Sequence, residues 1–145
     1  MRLQLAINVT NLEEGIDFYN RLFGTTPVKV KAGYANYAIS EPPLKFVLFE
    51  SPEAGGSLNH LGIEVEDGET VEAIEGRLSD SGLETSGIDD TTCCYAYKTE
   101  TWVTAPDDVR WEVYVKTGDV DTEEYALLQR HDGSDTAETA AACHC

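Results

Sequence analysis

One short segment of the chain is written twice. Gln4-Leu5-Ala6-Ile7-Asn8-Val9 returns as His60-Leu61-Gly62-Ile63-Glu64-Val65, with Leu, Ile and Val at the same places and Gly62 in place of Ala6. A repeat of this kind points to one structural unit used twice. In both copies apolar residues alternate with polar or small ones, which is the period of a half-buried strand. Leu, Ile and Val share one face. Gln4, Ala6 and Asn8 share the other face in the first copy, and His60, Gly62 and Glu64 share it in the second. Gln4 and His60 therefore stand at equivalent positions, turned away from the apolar face.

Each strand is followed by a helical pattern. Over residues 11–23, Leu12, Ile16, Tyr19 and Phe23 recur at spacings of three and four, between a capping Asn11 and a terminating Gly24. Over 69–81, Val71, Ile74 and Leu78 repeat the pattern before Gly82. Three short strands are expected after each helix, near 26–31, 34–40 and 44–50, and again near 84–88, 95–104 and 109–116. The Pro/Gly stretch from Ser51 to Ser57 links the halves. The fold class is therefore α+β, with paired βαβββ modules. We assign one domain to 1–117, with modules at about 1–50 and 58–117. Residues 118–145, acidic and poor in β-branched and aromatic residues, read as a mobile tail with a short helix around Glu123–Gln129.

Charge narrows the function. The chain carries 27 acidic against 10 basic residues, a net of −17, well beyond the magnitude of about 2–8 usual for a small domain. Binding to nucleic acid needs basic groups that displace counterions, and docking on an anionic membrane needs them too; neither partner is expected. The opening MRLQLAINV is too short and too polar for a signal peptide, and no window reaches the length of a membrane span. A cytoplasmic protein is the expectation. Salt screening would make such a surface tolerable in a salt-accumulating cell.

The last strand of the second half reads Val109-Arg110-Trp111-Glu112-Val113-Tyr114-Val115. Trp111, Val113 and Val115 form its apolar face, so Glu112 points the other way. A carboxylate among apolar neighbours is costly unless paired, hydrogen-bonded or bound to a metal. Gln4, His60 and Glu112 all occupy polar-facing strand positions of the duplicated unit, and a curved sheet would gather them on its concave side. One carboxylate with a nitrogen ligand on an open face is the pattern of non-haem Fe(II), although Zn, Mn and Ni accept the same donors. Read singly, His60 is a packed histidine and Glu112 an outward surface residue. Glu50, at a strand end, is either a fourth ligand or a solvated carboxylate.

The second signal is Thr91-Thr92-Cys93-Cys94-Tyr95. Neighbouring thiols in a reducing compartment are a grip for a thiophilic centre such as trivalent arsenic or Cd(II). The bland alternative is a small packed Cys beside an incidental one. Cys143-His144-Cys145 on the tail either relays a soft ligand or is inert, and His131 reads as solvated. No GxGxxG after a strand, P-loop, GxSxG or HExxH is present.

These segments carry a resemblance. NLEEGIDFYNRLFG, LNHLGIEVED and RWEVYV resemble the vicinal oxygen chelate superfamily of glyoxalase I, extradiol dioxygenases and antibiotic-resistance proteins, over roughly residues 2–116. The resemblance implies a curved mixed sheet around a divalent metal, with Gln4, His60 and Glu112 at the ligand positions. More narrowly, GYANYAI, PPLKFVLFE, TTCCYA and WVTAPDDVRWEVY are similar to the carbon–arsenic bond lyases, often labelled cadmium-induced proteins. That likeness implies Fe(II) as cofactor, O2 as co-substrate, and Cys93 and Cys94 holding the arsenic of a trivalent organoarsenical. It also implies a pocket bordered by some of Tyr34, Tyr37, Tyr95 and Tyr97. The alternatives are a glyoxalase-like isomerase or thiol transferase, and a non-enzymatic thiol protein sequestering Cd(II) or arsenite. A monomer and a homodimer sharing Gln4 between chains both fit the sequence.

Overall fold

Alternating strands and two amphipathic helices assemble here into a sheet that curls. The computed structural model describes residues 1–93, 95–106 and 108–131. The first module runs β1 (Arg2–Val9), α1 (Leu12–Phe23), β2 (Lys29–Lys31), β3 (Tyr34–Ile39) and β4 (Leu44–Glu50). After a single 3-10 turn at Pro52–Ala54 the second runs β5 (Leu58–Glu64), α2 (Gly68–Asp80), β6 (Asp89–Cys93), β7 (Ala96–Thr104) and β8 (Arg110–Asp119), followed by α3 (Thr122–His131).

The eight strands form one sheet in the order β2-β3-β4-β1-β5-β8-β7-β6. β1 pairs parallel with β4, and β5 parallel with β8; the seam between modules is the antiparallel β1–β5 pair. Each module thus repeats the other's pairing about that seam. This is the paired βαβββ architecture expected from the repeat, closed into a curled half-barrel.

α1 and α2 cover the convex side. On α1 the backbone N–H of Glu14 donates to the Asn11 side chain at 2.9 Å, and Gly24 ends the helix in the left-handed region at φ 64°. Its Leu12, Ile16, Tyr19 and Phe23 pack on Ala35, Tyr37, Ile39, Phe46 and Leu48. α2 sets Val71 and Ile74 against Val65, Val113 and Val115. On the concave side the inward residues of β1 are the more deeply buried: Gln4, Ala6 and Asn8 are buried, whereas Leu5, Ile7 and Val9 are only partly covered. Curling encloses the polar face, so burial there follows from sheet curvature and not from hydrophobicity.

Two boundaries differ from the sequence reading. The strand expected at 84–88 makes only one bridge, Thr85 to Val103; Gly87, left-handed at φ 76°, turns the chain, and the paired strand is β6. Register pairs Cys93 with Ala96, which puts Thr91, Thr92 and Cys93 at the end of β6. At the other end, β8 continues to Asp119, Val120 is buried, and α3 stacks Tyr125 on Tyr95 with centroids 4.4 Å apart. The segment 118–131, read as the start of a mobile tail, is held by these contacts. Cys143, His144 and Cys145 lie outside the described residues.

Candidate functional site

Strand alternation turns Gln4 of β1, His60 of β5 and Glu112 of β8 to the concave side, and these three strands are neighbours at the middle of the sheet. Their side chains meet. Gln4 Nε2 lies 2.9 Å from His60 Nε2 and donates to Glu112 Oε2 at 3.1 Å, and His60 Nε2 stands 3.5 Å from that oxygen. All three are buried, Glu112 completely. One chain supplies the whole cluster.

Each member is fixed by a further group. His60 Nδ1 lies 2.7 Å from Asn59 Oδ1, an acceptor, so Nδ1 carries the proton and the Nε2 lone pair faces the cluster. Asn59 in turn donates to Asn8 Oδ1 at 3.0 Å, and the Trp102 ring meets the imidazole edge-on at 5.3 Å between centroids. Tyr114 donates its hydroxyl to Gln4 Oε1 at 2.6 Å; burial pushes that phenol up, so it remains a donor. Lys98 Nζ donates to Glu112 Oε1 at 2.6 Å.

Burial opposes charge on Glu112, but the Lys98 ammonium outweighs it and holds the carboxyl well below the usual carboxylate range. Glu100, next along β7 on the same face, shows the opposite outcome. Burial lifts it to about 7, and the Glu112 charge adds to the lift. Trp102 Nε1 donates to its Oε1 at 2.8 Å.

The donor set suits a divalent metal. It offers an imidazole nitrogen already in the ligating tautomer and a carboxylate with Oε2 directed inward. The carboxamide, turned end for end about its last bond, would bring its oxygen in while Tyr114 receives the NH2. Gly62 packs against this group: a Cβ there would lie 3.2 Å from both Gln4 Cβ and Nε2.

A cleft of about 380 Å³, its open mouth included, adjoins the cluster. Gln4 and His60 border it together with Tyr34, Val47 and Phe49. Of the four tyrosines named from sequence, Tyr34 alone is among its lining residues. Tyr37 has the opposite strand parity and lies under α1 with Phe46. Tyr97 bonds Glu124 of α3 through its hydroxyl, and Tyr95 packs between Tyr34 and Tyr125. Glu50 is also elsewhere, accepting from the Leu12 backbone N–H at 2.7 Å at the start of α1.

Cys93 is buried in the concave-side cluster with Ala6, Tyr34, Val47 and Tyr95, which shares its walls with the cleft. It is disulfide-bonded. Cys94 lies outside the described residues. Sequence reasoning missed Lys98, Tyr114 and Asn59. The first two could have been found by parity, since Tyr114 is two residues from Glu112, and Lys98 two from the small Ala96, on the same strand faces.

Comparison with known proteins places this geometry in context. Residues 3–113 match the family model of the glyoxalase/bleomycin resistance protein/dioxygenase superfamily. A protein of Thermomonospora curvata called a trivalent organoarsenical cleaving enzyme is 49% identical over 148 residues, covering 98% of each chain. The cadmium-induced protein CadI of Mycobacterium tuberculosis is 49% identical over 142 residues, covering 98% of this chain and 92% of its own. Among solved structures, a glyoxalase/bleomycin resistance protein/dioxygenase superfamily member from Vibrio splendidus superposes with a TM-score of 0.55 at 12% identity, covering 79% of this chain and 97% of its own.

Proposed function

This chain belongs to the glyoxalase/bleomycin resistance protein/dioxygenase superfamily, and from that premise we propose that it cleaves the carbon–arsenic bond of trivalent organoarsenicals, with Fe(II) as cofactor and O2 as co-substrate. The observation that carries this reading is the placement of Cys93. It is buried in the same concave-side cluster as the walls of the cleft that Gln4 and His60 border. The name of the Thermomonospora curvata relative, at 49% identity over nearly the whole of both chains, supports the same substrate class.

Gln4, His60 and Glu112 would hold the metal, and Asn59, Tyr114 and Lys98 would keep those donors in place. When bound, Fe(II) supplies the electrons that activate O2, so that the carbon is oxidised and the arsenic leaves as arsenite. The chain's own part is positioning. Reduced Cys93 and Cys94 exchange with two oxygen ligands of the arsenical, each thiol forming an As–S bond while its proton leaves with the displaced oxygen as water. Two such bonds fix the arsenic and leave its carbon substituent facing the cleft, which turns the encounter into an intramolecular one. Tyr34, Val47 and Phe49 keep that space partly dry.

The test is reduction with a phosphine, anaerobic loading with Fe(II), addition of methylarsenite, and a pulse of O2 with arsenite followed by chromatography. Multiple turnovers that need both iron and oxygen are expected. Cys93→Ser or Cys94→Ser should abolish turnover while leaving Fe(II) binding intact; full activity in either variant refutes the thiol grip. The CadI relatives favour a second reading, stoichiometric sequestration of Cd(II) or arsenite. That reading gives binding without product, and binding that survives His60→Ala.

A further inference from the structure

The chain has only five lysines against 27 acidic residues, and four of them, Lys29, Lys45, Lys98 and Lys116, line the cleft beside the Gln4–His60–Glu112 cluster. Among the described residues, no Asp or Glu lines it. In a chain of net charge −17, cations spread at random would not collect in one cavity.

Their partners leave positive charge to spare. Lys98 is held by Glu112 at 2.6 Å and stands 3.9 Å from Glu100. Lys29 and Lys116 share the single carboxylate of Asp119, and Lys29 also donates to the Tyr95 carbonyl at 3.1 Å. Lys45, with 12% of its side chain exposed, has its nearest carboxylate, Glu64, at 3.9 Å, and Arg2 engages Glu64 more closely. The Lys45 and Lys98 ammoniums lie 5.0 and 4.8 Å from the centroid of the Tyr114 ring. Two like charges held over one ring, one of them lacking a close carboxylate, form a buried arrangement that an incoming anion would relieve. A bound divalent metal would draw on Glu112 and leave Lys98 with less of its present partner.

The geometry points to an anion subsite: the cleft takes an acidic group, such as a carboxylate or phenolate, carried on the organic substituent of the arsenical, with Lys45, Lys98 and Lys116 as its cationic walls. Phe49, Tyr34 and Val47 supply the apolar flank that receives the carbon skeleton. This rests on the lyase reading for the substrate's arsenic end, but the charge recognition is a property of the cleft itself.

The two can be separated with an arsenic-free probe. Titration calorimetry with benzoate and its neutral isostere benzamide, on the full chain with and without Fe(II) under anaerobic conditions, should show benzoate at least tenfold tighter. Lys45→Met and the more exposed Lys116→Met should each weaken benzoate several-fold and abolish most of that preference. In turnover, native protein should favour 4-carboxyphenylarsenite over phenylarsenite in kcat/KM, and Lys116→Met should cut that ratio about tenfold. If benzoate and benzamide bind alike, or if folded Lys116→Met binds benzoate as native protein does, the subsite is refuted even when arsenite is released. If benzoate binds in a lysine-dependent way while no arsenical is cleaved, the subsite stands and the lyase reading fails.

Discussion

Replacing Lys45 with methionine tests whether the cleft keeps a cation at the expense of stability. Burial above all, with Lys98 and Arg2 acting in the same direction, brings the Lys45 ammonium from 10.5 down to about 8, against the opposing charges of Glu64 and Glu112. At about 1.4 kcal/mol per pH unit, that difference is roughly 3 kcal/mol of charging cost in the folded state. Methionine keeps the unbranched stem, one atom shorter, and removes the charge. The lost contact with the Tyr114 ring subtracts roughly 1 kcal/mol, so a net stabilisation of about 2 kcal/mol is expected at pH 7. For a chain of this size it raises Tm by roughly 6 °C. The sign with pH is fixed. Below pH 8 the lysine is charged in both folded and unfolded chains, and the full cost is present. Between pH 8 and 10.5 the unfolded chain binds the proton and the folded one does not, so native stability gains on the variant as pH rises. Urea unfolding at pH 7 and near pH 10.5 should therefore show a gap that closes at the higher pH. A variant less stable than native at pH 7, or a gap that ignores pH, would refute the reasoning.

Other consequences are equally direct. Gly62→Ala should press on Gln4, displacing its amide by a few tenths of an ångström, and should weaken Fe(II) binding several-fold with little change in fold; unchanged affinity by anaerobic titration would show that the amide is not needed at the metal. Because Cys93 is disulfide-bonded, methylarsenite should bind only after reduction with a phosphine, and binding to unreduced protein would remove the thiols from the mechanism. Repulsion among 27 carboxylates should make Tm climb between about 0.05 and 2 M NaCl; a flat profile would show that the acidic surface imposes no strain. Tyr125→Ala should loosen the Tyr95 end of the β6–β7 hairpin and appear as faster amide exchange there, with the centre of the sheet unchanged.

Periodicity in the chain was sufficient to write the two modules. Alternation in 4–9, 60–65 and 109–115 assigns each residue to one of two strand faces, and i, i+3, i+4 spacing marks both helices, because these are properties of local backbone geometry. The same parity separates Tyr34 from Tyr37 and pairs Glu112 with Tyr114. It does not say which strands become neighbours. That β1, β5 and β8 lie side by side, so that Gln4, His60 and Glu112 meet within 3.5 Å, is decided by pairings between residues fifty or more positions apart. Local pattern also misplaced the strand before TTCC, where a left-handed Gly87 and the pairing with β7 moved it to Asp89–Cys93. The gathering of Lys29, Lys45, Lys98 and Lys116 around one cleft is wholly tertiary. Those residues come from four strands, and each looks like an ordinary surface lysine until the curl of the sheet turns all four inward.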